Sequence, residues 1–398
     1  MRLTQRGAAV LATSPVLAIA AWLLGLPEAA VLSACAALLV LVAAVWTKAR
    51  AAVVDIQRSI LPTRPRVGEP CRVQLQILNT GSRSAAPLHL TERIEGLDSL
   101  RLQIAPVPSG EQSITSYNFP TLVRGRQVIA ASKVQVEDPF GLLRSTCLAG
   151  AETQVLVLPK LWQLSPLRAA LGQENRKPSH SAAFISRPAE EFAGLREYLP
   201  GDDLRRIHWP TTARTGRPVM RQFELPLQHR TTVLLDLMSS ASFERSVSAA
   251  ASVIALEAKQ GGLIRLVTTA TQSVALNGTE FVNAADQFDQ LQDRLALVEQ
   301  SPKAVSIQSL LQLLDAQDGG RLVICASYVS RNDLGVIQRG SRQFSSRVLL
   351  TTSGSDQEQS MSDQASEQQG WLHVDWPEGS ALNRAWDEAT RLAGGAKP

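Results

Sequence analysis

Cysteine and histidine are scarce in this chain of 398 residues, and each scarcity removes a class of function. Cys35, Cys71, Cys147 and Cys325 lie far apart with no C-x-x-C pairing. That spacing argues against a zinc site or a disulfide framework and suits buried, small apolar side chains. The five histidines form no H-x-x-x-H or H-E-x-x-H pair, so a histidine-ligated metal is not expected. Charge of one sign is also lacking: 40 basic against 36 acidic residues leave +4 without a polybasic tract, and nucleic acid is not an expected partner. What remains is 44% hydrophobic and 19% charged, the composition of a folded protein. At roughly 150 residues per domain, the length suggests about two soluble domains beside any membrane part.

Ala8 to Leu26 is almost wholly apolar and uncharged, about the 20 residues a helix needs to cross the hydrocarbon. After a break at Pro27-Glu28, Ala29 to Trp46 repeats that pattern and ends in Trp46, Lys48 and Arg50, as an interfacial anchor would. Residues 1–50 are therefore expected to form a two-helix transmembrane hairpin. Arg2 and Arg6 precede it, Lys48 and Arg50 follow it, and the tip carries only Glu28, so both termini and the soluble domains should be cytoplasmic. For a bacterial chain this is the inner (cytoplasmic) membrane. The competing reading is a cleaved signal peptide with Leu32-Ser33-Ala34-Cys35 as a lipoprotein box. The box comes late, Pro27 and Glu28 interrupt the apolar run, and that run continues past Cys35.

Over residues 51–160 the period changes to two, as in Arg72-Val73-Gln74-Leu75-Gln76-Ile77 and Arg101-Leu102-Gln103-Ile104. Further strands are expected at 88–94, 113–119, 127–136 and 154–158, separated by turn clusters, which together suggest a small β-sandwich. Residues 161–189 carry Pro166, Pro178 and Pro188 among polar residues and predict an extended connector. From about His229, strands at 232–237, 264–268, 322–326, 348–352 and 372–374 alternate with amphipathic helices. That alternation points to an open, mainly parallel α/β sheet within residues 190–398. Residues 353–370 are polar enough for a flexible loop, and the last helix, 382–392, should be capped by Ser380 and stop before Gly394-Gly395.

The densest cluster of charge, glycine and aromatics runs from Glu190 to Glu224. Its candidate binding residues are Glu191, Arg196, Glu197, Tyr198, Gly201, Asp202, Asp203, Arg205, Arg206, His208, Trp209, Arg214, Arg221 and Glu224. All its basic residues are arginine, whose planar fork grips carboxylates bidentately. Pro200-Gly201-Asp202-Asp203 reads as a turn. Three readings stay open: an internal arginine–carboxylate network, a recognition surface for a protein or anion, and a catalytic site with His208 as general base beside Asp202 or Asp203. No nucleophile stands at a suggestive spacing for the third.

The run Glu191-Phe192-x-Gly194-Leu195-Arg196-Glu197-Tyr198-x-Pro200-Gly201-Asp202-Asp203-x-Arg205-Arg206-Ile207-His208-Trp209, with Ala213-Arg214 and Arg221-x-Phe223-Glu224, resembles the signature of the bacterial domain-of-unknown-function family fifty-eight. Arg124-Gly125 and Asp138-Pro139-Phe140-Gly141-Leu142 resemble its accompanying context. The resemblance implies a von Willebrand factor A-like α/β domain. It also implies an adaptor or assembly role with a MoxR-type AAA+ ATPase and a transglutaminase-like membrane protein in a cell-envelope process. A protein-binding adaptor rather than an enzyme is thus expected, with an enzyme of envelope metabolism built around His208 as the alternative. Von Willebrand factor A domains often hold Mg²⁺ through Asp-x-Ser-x-Ser. Here Asp236 and Ser240 match, but Met238 stands where the first serine belongs, and a thioether is a poor Mg²⁺ ligand. The expectation is a degenerate metal site, with Asp236 serving as a helix cap or loop anchor.

Overall fold

The computed structural model describes residues 1–51, 53–96, 99–167, 191–197, 207–224, 230–238, 240–270, 280–314, 320–352 and 371–395. The chain divides into two compact units, residues 1–160 with 292–298, and residues 161–291 with 299–398.

The first unit opens with a short strand β1 (Arg2–Leu3) and two helices, α1 (Gln5–Leu24) and α2 (Pro27–Ala49), both long and apolar enough to cross a membrane. Pro27 and Glu28, expected as a break, instead open α2: proline lacks only an N–H that the first turn would not use, and the glutamate faces the positive helix end. The helices are stitched by reciprocal hydrogen bonds, Ser14 Oγ to Ser33 O at 3.1 Å and Ser33 Oγ to Ser14 O at 2.7 Å. Such bonds satisfy hydroxyls that an apolar solvent would leave bare.

Nine strands follow: β2 (Val54–Leu61), β3 (Cys71–Asn79), β4 (Leu88–Glu92), β5 (Leu100–Ile104), β6 (Gln112–Phe119), β7 (Gly125–Ile129), β8 (Ser132–Glu137), β9 (Leu143–Ala149) and β10 (Thr153–Val157). They form a sheet ordered β1-β9-β8-β4-β5, a sheet β2-β3-β6 and a pair β10-β7, all antiparallel and closed on one core. Val73, Leu75 and Ile77 from one sheet and Leu88, Leu90, Val134 and Val136 from another are essentially inaccessible, as the period of two requires. The run expected as one strand over 127–136 is two, β7 and β8, in different sheets. β2 and β9 extend the expected set.

The inner phase also holds a charge pair. Arg58 follows Val54 and Ile56 in alternation, and Glu92 follows Leu88 and Leu90. Their side chains are 2% and 0% exposed, with Arg58 Nε 3.2 Å from Glu92 Oε2. Arg58 Nη2 also donates to Ala130 O at 2.9 Å and Ser132 Oγ at 2.6 Å, while Ser132 Oγ and Tyr117 Oη donate to Glu92. Burial first, then the Glu92 charge, pushes the Tyr117 phenol far up. Arg124 is buried and donates through Nε to Leu295 O at 3.0 Å within this unit.

The second unit contains β11 (Glu191–Glu197), α3 (Trp209–Thr215), β12 (Val219–Glu224), β13 (Arg230–Leu235), α4 (Phe243–Gln260), β14 (Leu263–Thr268), β15 (Val282–Asn283), α5 (Phe288–Leu297, its end within the first unit), α6 (Ile307–Leu313), β16 (Arg321–Ala326), α7 (Arg331–Gly340), β17 (Ser346–Thr351), β18 (Trp371–Asp375) and α8 (Leu382–Gly395). Its six-stranded sheet runs β15-β14-β13-β16-β17-β18, parallel except for β15 at one edge. Val233, Leu234 and Leu235 are fully buried, which explains their unbroken apolar run: strands covered on both faces have no polar phase. On α4 the expected face of Val247, Ala250, Ala251 and Ile254 is at zero exposure, and small residues at Ser246, Ala249 and Ser252 let the helix sit close. Residues 161–167 have no regular structure. Trp162 meets Trp376 edge-on at 5.7 Å and Trp386 Nε1 donates to Ser165 O at 2.9 Å. The rest of the expected connector and the loop 353–370 lie outside the described residues. The last helix includes Gly394 and Gly395, contrary to expectation, because glycine permits a helix stop without enforcing one. Ser380 Oγ donates to Pro377 O at 2.8 Å, closing the preceding turn.

Candidate functional site

The motif folds back on itself. β11 and β12, the two ends of the cluster, pair antiparallel with an irregularity between Phe192 and Gly194. The register sets Glu191 opposite Glu224, Leu195 opposite Arg221, Arg196 opposite Met220 and Glu197 opposite Val219. Residues 22 to 33 positions apart in sequence thus meet as one ribbon. Tyr198, Gly201, Asp202, Asp203, Arg205 and Arg206 lie outside the described residues.

His208 and Trp209 lead into α3, which begins with Pro210 inside its first turn and ends at Gly216, where φ is +69° and a side chain would be strained. This short helix is tied to β12 by two hydrogen bonds, His208 N to Val219 O at 2.8 Å and Val219 N to Thr212 Oγ1 at 3.1 Å, while Thr212 N to His208 O at 3.0 Å closes its own turn. Ile207 and Val219 are buried. His208 Nδ1 is 2.8 Å from Thr211 Oγ1, so a threonine hydroxyl orients the imidazole. Trp209 is 66% exposed and Arg214 is exposed, so the described part of the cluster presents an indole and a guanidinium to solvent.

A second constellation occupies the carboxyl ends of the sheet strands. The order reverses between β13 and β16, and Asp236 stands immediately after β13 with its N–H bonded to Cys325 O at 2.9 Å. Asp236 is 5% exposed, and Oδ1 accepts from Thr269 Oγ1 at 3.0 Å and Met238 N at 3.2 Å. Burial raises its carboxyl above the usual carboxylate range, against the lowering effect of these donors. Ser240 Oγ lies 3.1 Å from Ser242 Oγ and accepts from Ser242 N at 3.2 Å. The segment after α5 straps this edge: Ser301 N donates to Leu237 O at 2.9 Å, Val305 N to Thr269 O at 2.8 Å, and Gln300 Nε2 to Ser240 O at 3.1 Å.

These residues do not fit a Mg²⁺ site. Ser240 is turned to the start of α4, and Met238, 59% exposed, offers sulfur where a hard cation needs oxygen. Asp236 and Ser240 anchor the loop instead. Among the described residues, no group of three or more His, Cys, Asp or Glu side chains could hold a metal.

Sequence reasoning missed the hydroxyls that line this edge. Ser246 Oγ is 3.4 Å from both Ser327 Oγ and Thr352 Oγ1, all three buried, and Thr269 is inaccessible. A signal was present: Thr269, Ser327 and Thr352 each follow an apolar strand directly. Next to them Arg245 donates to Thr352 O at 3.1 Å and Pro377 O at 2.7 Å and stacks 4.5 Å over Trp376. His373 Nε2 is 2.9 Å from Thr351 Oγ1, and burial holds the imidazole below its ordinary pKa despite Asp375.

The chain is therefore an α/β-sheet protein that carries an arginine-rich ribbon, a β-sandwich and a hairpin of two membrane-length helices. Residues 194–314 match the family described as "Protein of unknown function DUF58". That region starts inside β11 and includes β13 to β15. The Bacillus subtilis uncharacterized protein YeaD is 28% identical over 173 residues, 42% of this chain and 43% of that protein. The Mycobacterium tuberculosis uncharacterized protein Rv1480 is 28% identical over 128 residues, 31% of this chain and 40% of that protein. The chain spans less than half the length of these curated relatives. Among solved structures, the CARDB domain of the PF1109 protein from Pyrococcus furiosus is similar at a TM-score of 0.19 and 14% identity, over 26% of this chain and 85% of that one.

Proposed function

We propose that this chain is a membrane-anchored, protein-binding adaptor or assembly factor, with a von Willebrand factor A-like α/β unit on the cytoplasmic face of the bacterial inner membrane. The observation that carries the reading is the strand order. Numbered along the chain within the sheet, it is 3-2-1-4-5-6 with an antiparallel third strand. In open sheets of this kind ligands dock at the carboxyl ends where the order reverses, here the edge holding Asp236 and Ser327. Trp209 supports a docking role, since tryptophan and arginine are the residues that most often anchor interfaces. Arg2, Arg6, Lys48 and Arg50 flank one end of the hairpin and favour the cytoplasmic side for the soluble units.

The expected partners, a MoxR-type AAA+ ATPase and a transglutaminase-like membrane protein, come from the family resemblance, which is an associational warrant. The test is a crosslinking pull-down of the full chain from native membranes with ATP, comparing wild type with Arg206→Ala and Trp209→Ala. Recovery of an AAA+ ATPase by wild type, with loss in either folded variant, supports the adaptor and locates its contact on the motif. Failure to recover any ATPase while other membrane complexes survive refutes it. A screen of His208→Ala for lost turnover on envelope-derived substrates then addresses the enzyme.

A further inference from the structure

The Asp138-Pro139-Phe140-Gly141-Leu142 run has no part in either constellation above, yet it is among the most tightly built loops of the first unit. Asp138 is 3% exposed, and its carboxylate accepts three backbone N–H groups: Phe140 at 2.9 Å, Leu142 at 2.7 Å and Leu143 at 2.5 Å. Three such bonds fix a turn whatever its side chains do. The loop then takes hold of the start of α1. Thr4 donates its N–H to Leu142 O at 2.9 Å and its hydroxyl to Gly141 O at 2.6 Å, and the same hydroxyl caps α1 by accepting from Gly7 N at 3.0 Å. Gly7 lies so close that a Cβ there would be 2.0 Å from Leu142 O. β1 adds to the edge of β9 beside the loop, Leu3 opposite Leu143. Leu142 and Leu143 pack with Ala43 against Val10, Leu39 and Val40 of the two helices.

These contacts set a depth. A hydrocarbon layer of about 30 Å takes about 20 helical residues. Measured from the hairpin tip, 20 residues reach back to Gln5 on α1 and to Trp46 on α2. The helix turns that carry the loop, at Val10 and at Leu39 to Ala43, fall inside that span. Helix tilt only deepens them. Arg6 and Lys48 mark the level of the headgroups, and Arg6 Nη1 lies 3.9 Å from where a Gly141 side chain would begin. Phe140, at the loop's tip, is 53% exposed.

We infer that the Asp138–Leu143 loop is a clasp seated in the boundary between headgroups and acyl chains of the bilayer its own hairpin crosses, with Phe140 in contact with lipid. It holds the hairpin and the sandwich in one fixed geometry, so that a push on either is felt by the other. The inference rests on the reading that α1 and α2 span a membrane. A large apolar side chain on a rigid turn gains most from such a boundary, where burial of its ring removes it from water.

The test places the photoreactive amino acid p-benzoylphenylalanine at position 140 of the full chain in phospholipid vesicles, with Ile19 and Leu148 as reference positions. Ile19 is exposed on α1, and Leu148 is exposed on β9, six residues and about 20 Å along the strand from Leu142. After irradiation, lipid adducts on the peptide bearing each position are counted by mass spectrometry. The expected result is a yield at 140 comparable with that at 19 and at least about tenfold above that at 148. Adducts at 19 with none at 140 overturn the clasp and leave the membrane span standing. No adducts at 19 overturn the span, and the clasp with it. Because the replacement is aromatic and the Asp138 carboxylate holds the turn through backbone N–H groups, the loop should survive it; Phe140→Trp provides an independent reading, since the emission it adds to that of the seven native tryptophans should be quenched by brominated acyl chains, and an added emission that brominated lipid leaves unquenched counts against contact.

Discussion

Replacing Glu92 by leucine would leave the Arg58 guanidinium buried without its carboxylate, in a site where its side chain is 2% exposed. Breaking a buried pair from one side costs about 3–5 kcal/mol, because the surviving charge has neither water nor partner. Against a domain stability of roughly 5–15 kcal/mol this is a large fraction. The loss should appear in hydrogen exchange of the fully buried β3 segment around Val73 to Ile77, measured on the detergent-solubilised chain. At about 1.4 kcal/mol per factor of ten, exchange should quicken roughly a hundredfold to a few thousandfold. Arg58→Met should cost a similar amount. The combination Arg58→Met, Glu92→Leu and Ser132→Ala removes the charges together with the hydroxyl that bonds both, and should recover at least half the loss, since a well-packed apolar replacement is often neutral. Tyr117 Oη, 3.5 Å from Glu92, would keep part of the deficit by losing its acceptor. If Glu92→Leu changes exchange less than about fivefold, or if the single effects simply add in the combined variant, the network does not hold the sandwich as described.

Two further predictions concern the carboxyl edge of the α/β sheet. Burial raises the Asp236 pKa, so the folded state binds the proton more tightly than the unfolded chain and stability falls as pH rises through that range. Asp236→Asn, whose amide oxygen can accept the same Thr269 and Met238 donors, should therefore stabilise the unit at neutral pH. The gain should vanish as pH falls to about 3.9, the ordinary aspartate value; a destabilised variant at neutral pH would show that the charge itself is used. For His373 the sign is opposite. Its pKa is depressed, so its stability contribution is complete above about 6.5 and is lost as pH falls toward the folded value. His373→Gln should flatten the decline of melting temperature on acidification below about 6.5, and an unchanged slope would assign that decline to other groups.

Much of the architecture was legible because burial leaves a period. The alternation of Val73, Leu75 and Ile77 and the solid run Val233-Leu234-Leu235 named their strands, and the helices α1 and α2 followed from length and apolarity. The corner between β7 and β8 was not legible, since alternation continues across it while the chain changes sheets. Charge in an apolar phase was a readable sign, though it did not say that Arg58 and Glu92 would find each other. Of the candidate site, the sequence isolated the motif by composition, and only pairing showed that Glu191 and Glu224 stand opposite one another.

The sequence by itself determined the hairpin's length, the sidedness of its basic flanks, the change from period two to buried α/β strands, and the residues of the family motif. Each is a local property, set by the spacing of apolar and charged side chains along one segment. The tertiary structure alone decided that β15 closes the sheet antiparallel, that Asp236 bonds Thr269, and that the Asp138 turn grips Thr4 and Gly7. The last two join residues 33 to more than 130 positions apart. Their energy depends on distance and burial in three dimensions, and neither is written in the order of the chain.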